Sequence, residues 1–218
     1  MMNIQDKAWE ILLPHFPDLS PLQKTQLSAL GACYREWNAL INVISRKDID
    51  NIYVHHVLHS LAIAKFFSFP AGARILDLGT GGGFPGIPLA ILFPQADFLL
   101  CDAIGKKVIV AKEVTKAIGL RNVCAQQSRA ENLLQRFDFV VSRAVTHLEA
   151  FVPWVWGKID QILPESGILY LKGGDLESEL DACRQLKDIS FAQIQEIPVS
   201  QWFPQEFFAE KKIVYLKK

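Results

Sequence analysis

The chain has 218 residues, half of them hydrophobic and 21% charged. This excludes a disordered chain, and a length of this order buries roughly 70% of the unfolded surface without disulfide or metal staples. Lys and Arg total 23 and Asp and Glu total 23, which excludes a histone-like polycation and leaves any nucleic-acid binding to a local patch.

Charge is unevenly spread. Residues 71–150 carry nine basic and seven acidic groups, residues 151–210 four and ten, and the last eight residues four and none. A bipolar surface is expected, with a polyanion meeting the side away from residues 175–181. Cys33, Cys101, Cys124 and Cys183 are dispersed and form no CxxC, which argues against a zinc site or a disulfide framework and fits a reducing cytosol. The N-terminus has no basic stretch followed by an apolar one, and no run approaches 18 apolar residues. A cytoplasmic, membrane-free, metal-free monomer is expected.

The first 70 residues read as a helical subdomain. Trp9, Leu12, Leu13 and Phe16 recur at helical spacing. Ser20-Pro21 is an N-cap followed by Pro at the first helical position, and Leu22, Leu27, Leu30, Tyr34, Trp37 and Ile41 mark an apolar face. A third helix is predicted over 52–67, and Phe69-Pro70-Ala71-Gly72 then breaks the pattern. From residue 71 to 218 strands and helices alternate. Strands are predicted at 74–78, 97–102, 122–127, 137–142, 167–171, 191–199 and 211–217. Helices are predicted at 86–93, 106–118, 147–163 and 175–187. This is an α/β pattern: a mostly parallel sheet with helices on both faces and an antiparallel C-terminal edge hairpin.

The segment from Asp77 to Gly86 carries the most information. It joins the first strand to the first helix of the α/β part, where such sheets bind ligands. Gly81-x-Gly83-x-x-Gly86 formally matches the dinucleotide fingerprint, but its helix would begin after the third glycine, too late to face a pyrophosphate, and Pro85 and Pro88 crowd the turn. Asp77-x-Gly79-x-Gly81-x-Gly83 instead resembles the first motif of class I methyltransferases that use S-adenosyl-L-methionine (SAM). Asp102 ends the second strand, where an acid is placed to bond ribose hydroxyls of either cofactor.

The run Gly79-Thr80-Gly81-Gly82-Gly83-Phe84-Pro85-Gly86-Ile87-Pro88-Leu89-Ala90 resembles the signature of the RsmG (GidB) family, bacterial methyltransferases that modify N7 of a guanine in a loop of 16S ribosomal RNA. Trp37-Asn38 with Asn42, His56-Val57-Leu58 with Ser60-Leu61, the 102–107 segment, Ser128-Arg129-Ala130-Glu131, Ser142-Arg143-Ala144 and Leu171-Lys172-Gly173 follow in the family's order. The chain departs at His59, where the family usually has Asp, and at Val43-Ile44. The resemblance implies a Rossmann-like class I sheet with an N-terminal helical extension. It also implies SAM as cofactor, and 16S rRNA or the small ribosomal subunit as partner. On the family's cofactor positions stand Gly79, Phe84, Ala130, Glu131 and Arg143. With the glycine-turn reading, the expected cofactor site is Asp77, Gly79, Gly81, Gly83, Phe84, Asp102, Ala130, Glu131 and Arg143.

Guanine N7 has a free lone pair, so methyl transfer to it needs alignment rather than a general base. Arg143 and Lys172 are the residues expected beside the transfer site. Lys106, Lys107, Arg129, Lys172, Lys211 and Lys212 are candidates for phosphate contacts. Trp154, Trp156 and Trp202 could face a splayed base. The alternatives are a SAM enzyme acting on another RNA or a small molecule, a dinucleotide enzyme, and a non-catalytic ribosome-assembly module. His55 and His59 are four apart but lack an HExxH acid, and His56 is expected at the junction between the helical and α/β parts.

Overall fold

The computed structural model describes residues 4–189 and 192–218; the first residue of the strand predicted at 191–199 lies outside them. A 3₁₀ helix at Ile4–Leu12 opens the described chain. An α-helix was the expectation there, but Trp9 and Leu12 are three apart, the spacing that a 3₁₀ winding stacks, and Pro14 and Pro17 bar its extension. Helix α1 (Pro21–Leu40) begins at a complete capping box. Gln23 N–H donates to the Ser20 hydroxyl at 3.2 Å, and Ser20 N–H donates to the Gln23 side chain at 2.9 Å. The third predicted helix is wound in two ways: a π-helix over Ile52–Leu58 runs into α2 (His59–Phe66).

The rest is the expected sheet. Strands β1 (Arg74–Leu78), β2 (Asp97–Asp102), β3 (Val123–Gln127), β4 (Phe139–Arg143), β5 (Gly167–Gly173), β6 (Gln193–Pro198) and β7 (Lys211–Lys217) take the order β3-β2-β1-β4-β5-β7-β6. The first five are parallel, and β7 lies antiparallel between β5 and β6. Helices α3 (Gly86–Leu92), α4 (Gly105–Ala117), α5 (Leu148–Val155) and α6 (Glu177–Arg184) complete it. The helix predicted at 147–163 is shorter. After Val155 it tightens to a 3₁₀ turn at Trp156–Lys158, where Gly157 weakens the winding and Ile159 is drawn into a bridge with Phe137.

Strand alternation divides the core. Leu169 and Leu171 of β5 face a cluster shared with α1 to α4; Ile168 and Tyr170 face one shared with α5 and α6. The helical extension is keyed to the sheet part as well as packed on it. Gln23 Nε2 donates to the Ile91 and Leu92 carbonyls, Gln26 Nε2 to Ile118 O, and the Tyr34 hydroxyl to Gly82 O at 2.8 Å. The last bond reaches the glycine turn.

Candidate cofactor and methyl-transfer site

A cavity of about 510 Å³ opens at the carboxyl ends of the parallel strands, within the roughly 300–1,000 Å³ range of small-molecule sites. Its contributors follow the sheet order: Ala130 and Glu131 after β3, Asp102 at the end of β2, Gly79 to Gly82 and Phe84 after β1, and Arg143 at the end of β4.

Asp77 does not line this cavity. It is fully buried beneath it, and one carboxylate oxygen, Oδ2, accepts from the Thr80 hydroxyl at 2.6 Å and from Gly86 N–H at 2.7 Å. That oxygen ties the two ends of the turn together, while Oδ1 has no partner among the described residues. Burial pushes the Asp77 carboxyl up to about 7, against the pull of those two donors and of Arg143. Asp77 therefore shapes the site from behind.

The turn it holds needs glycine for two reasons. Gly79 and Gly81 both have positive φ, +73° and +58°. A Cβ on Gly79 would stand 2.2 Å from Val145 Cγ2, so packing excludes it. A Cβ on Gly81 would meet nothing within 4 Å and would stand in the cavity. Gly83 lies outside the lining, packed against Ile87.

Asp102 closes the other wall. Its carboxylate accepts from Gly81 N–H at 2.9 Å and Ile104 N–H at 2.8 Å, one per oxygen, which leaves each oxygen lone-pair capacity toward the cavity. Ala130 is buried and Glu131 exposed at the edge. Phe84 is buried, stacked on Tyr34 at 4.7 Å, with the Arg143 guanidinium 5.1 Å above its ring. Of the three tryptophans only Trp154 lines the cavity; Trp156 lies under Lys218, and Trp202 packs on the core.

Arg143 is the cation that the end of β4 brings to the lining. The neighbouring acid Asp138 is taken by Arg74 at 2.8 Å. Among the described residues Arg143 meets no carboxylate; it donates to His55 O at 3.2 Å and meets His56 Nδ1 at 2.9 Å. Burial lowers its pKa to about 10, still far above neutrality. His59 offers no counter-charge either. It is buried against Phe207 and Phe208, its Nε2 is unpartnered, and burial and Arg143 hold its pKa well below the usual imidazole range.

Lys172 does not reach the cavity, contrary to its expected place at the transfer site. One residue beyond Tyr170 and Leu171 on β5, it turns to Glu179 of α6 at 2.7 Å and Thr146 O at 3.0 Å. Ala144, the end of the Ser142-Arg143-Ala144 block, and Val145, which sequence reasoning missed, complete the rim. Ala144 adopts φ +50°, and the Tyr170 hydroxyl accepts from Val145 N–H at 3.0 Å and Thr146 N–H at 2.9 Å. Only proximity to that block pointed to Val145 and Thr146.

A Cβ-free wall at Gly81, lone pairs on Asp102 and a cation without a carboxylate partner suit a nucleoside that bears a carboxylate, which SAM is. A dinucleotide does not suit. The N–H of Gly86, at the start of α3, is spent on Asp77, and a Cβ there would overlap Leu100 and Asp77, so that helix end faces the interior.

Solved structures share the fold. The YcgJ protein from Bacillus subtilis aligns with a TM-score of 0.56 at 18% identity, over 74% of this chain and 99% of that one. Aeropyrum pernix fibrillarin, in complex with natively bound S-adenosyl-L-methionine, aligns with a TM-score of 0.55 at 13% identity over 73% of each. Sequence relatives are much nearer. The ribosomal RNA small subunit methyltransferase G of Flavobacterium psychrophilum is 53% identical over 95% of this chain and 97% of its own. That of Bacteroides thetaiotaomicron is 52% identical over 94% and 98%. The family model described as rRNA small subunit methyltransferase G matches residues 23–204. The chain belongs to this family, GidB.

Proposed function

We propose that this protein transfers a methyl group from SAM to N7 of a guanine in a loop of 16S rRNA, acting in the cytoplasm as a monomer on the rRNA or the small subunit. The observation that carries the reading is the open, Cβ-free face of Gly81 beside Asp102, in a chain whose residues 23–204 match the family.

Bound SAM supplies a methyl group made electrophilic by its sulfonium. Asp102 would accept from the ribose hydroxyls, Ala130 and Glu131 would flank the adenine, and Arg143 would meet the carboxylate. Guanine N7 needs no deprotonation, so the protein's task is alignment and exclusion of water, effects that contribute roughly 7–11 kcal/mol. N7 lies in the deep, narrow groove of an RNA helix, so the target must be a loop base or splayed out. Trp154, 38% exposed on the cavity lining, is available to stack on such a base. Lys107 and Arg129 on the lining, with Lys106 beside them, make no ion pair among the described residues. Unpaired cations there favour a polyanionic substrate over a small molecule.

Two measurements test this. Mapping 7-methylguanine in rRNA from cells with and without the gene should show one modified guanine lost from 16S rRNA. Incubation with methyl-tritiated SAM should label 16S rRNA. RNA binding without label transfer would leave a non-catalytic assembly module, and NAD binding without SAM binding would overturn the cofactor.

A further inference from the structure

Four side chains from two segments form one chain of contacts that ends at Arg143 on the cavity lining. His55 Nδ1 lies 2.5 Å from Asp48 Oδ1, and His56 Nε2 lies 2.6 Å from Asp48 Oδ2. His56 Nδ1 meets Arg143 Nη2 at 2.9 Å, and the His55 carbonyl accepts from Arg143 Nη1 at 3.2 Å. Consecutive helical residues ordinarily project apart, yet here, in the π-wound Ile52–Leu58 segment, one carboxylate engages both rings.

The protonation pattern follows from the donors. A guanidinium has no acceptor, so His56 Nδ1 must accept, and the ring proton must sit on Nε2 and point at Asp48. A neutral His56 is therefore required, and burial together with Arg143 lowers its pKa to about 4. Asp48 fixes the tautomer and His56 fixes the guanidinium edge. The remaining N–H donors of Arg143 meet no acceptor among the described residues and are available to an anion at the glycine turn. Neutral His56 neither cancels the charge nor, at position 59, does His59.

We propose that Asp48 and His56 are positioning residues that hold Arg143 as the seat of the methyl donor's α-carboxylate. The inference rests on the cavity being a SAM site. The carboxylate is favoured over an RNA phosphate because Arg143 is half-buried above the buried Phe84 ring, whereas Lys106 and Arg129 stand exposed.

The test is calorimetry of the full chain with two ligands. S-adenosylhomocysteine carries the carboxylate, and 5′-methylthioadenosine shares its adenosine and thioether but lacks the amino-acid part. His56→Leu should weaken the first by about tenfold or more, the effect of losing alignment of a charge-assisted bond, and leave the second within about twofold. His56→Asn should recover most of the loss, because its amide oxygen can take the place of Nδ1. Asp48→Ala, at a side chain 30% exposed, should shift the ratio in the same direction and decides the matter if His56→Leu does not fold. Equal losses for both ligands, an unchanged ratio, or His56→Asn no better than His56→Leu would overturn the proposal. Wild-type protein that binds neither ligand would instead overturn the SAM site itself.

Discussion

At the scale of single residues, the glycine turn separates two demands that look alike in sequence. Gly79 is fixed by its neighbour Val145, and Gly81 by the space in front of it. Gly81→Val should therefore abolish S-adenosylhomocysteine binding in calorimetry. Its cost to folding should be limited to the left-handed backbone, about 1–2 kcal/mol, read as a lowered but cooperative thermal midpoint. Retained affinity would mean that the ligand lies elsewhere. Asp77 makes a different prediction. Its pKa is raised by burial from an ordinary 3.8 to about 7. Its stabilising contribution is therefore full below about pH 4 and is lost as pH rises through about 7. Between about pH 4.5 and about pH 7.5 the thermal midpoint of the wild type should fall relative to that of Asp77→Asn, and parallel curves would refute the buried titration. The turn and Asp102 were legible because backbone geometry demands those residue types locally. The turned-away Lys172 was not legible, because its partner Glu179 comes from a later helix. Asp48 was not legible, because nothing in its own neighbourhood marks it as the acid between two histidines.

Among elements, the strands were read most closely because parallel strands covered on both faces are short apolar runs, as in Phe139-Val140-Val141. The segments that position the site were harder. A π-winding leaves the same hydrophobic pattern as an α-helix. The loop after β4 takes its shape from β5 and α6 rather than from its own residues. The Tyr170 hydroxyl accepts from Val145 and Thr146 N–H and donates to Thr146 O at 2.9 Å, Lys172 donates to the same carbonyl, and Glu179 accepts from Leu148 N–H at the start of α5. Tyr170→Phe keeps the ring against Phe151 and removes only the hydroxyl's own bonds to Val145 N–H, Thr146 N–H and Thr146 O. Leaving the Val145 and Thr146 N–H groups without that partner should cost about 1–3 kcal/mol in denaturant unfolding. Because Val145 and Ala144 line the cavity, S-adenosylhomocysteine affinity should fall as well. A stability loss with unchanged affinity would make the brace purely structural.

Over the whole molecule, the neutral sum of charges conceals a segregation by pairing. On the far edge and underside of the sheet, cations are matched: Lys212 with Glu196 at 2.8 Å, Lys217 with Glu165 at 2.7 Å, Arg74 with Asp138 and Asp160, and Arg136 with Asp160. Lys211 lies over the Phe207 ring at 5.0 Å. At the cavity, Lys106, Lys107 and Arg129 are unmatched among the described residues, as are the exposed Arg46 and Lys47 in the loop that follows Val43 of the lining. Sequence position alone had put Lys172, Lys211 and Lys212 with the phosphate contacts; ion pairs with Glu179 and Glu196 now engage Lys172 and Lys212. Salt dependence distinguishes the two sets, since each phosphate neutralised on single-stranded RNA contributes about −0.7 to the slope of log affinity against log salt. Lys107→Gln with Arg129→Gln should flatten the slope for a 16S rRNA fragment by about 1.4, while Lys212→Gln should leave it nearly unchanged, because Glu196 already holds that charge. The reverse pattern would move the RNA to the β6–β7 edge, away from Arg143 and Trp154, and a guanine bound there would have no route to the donor site.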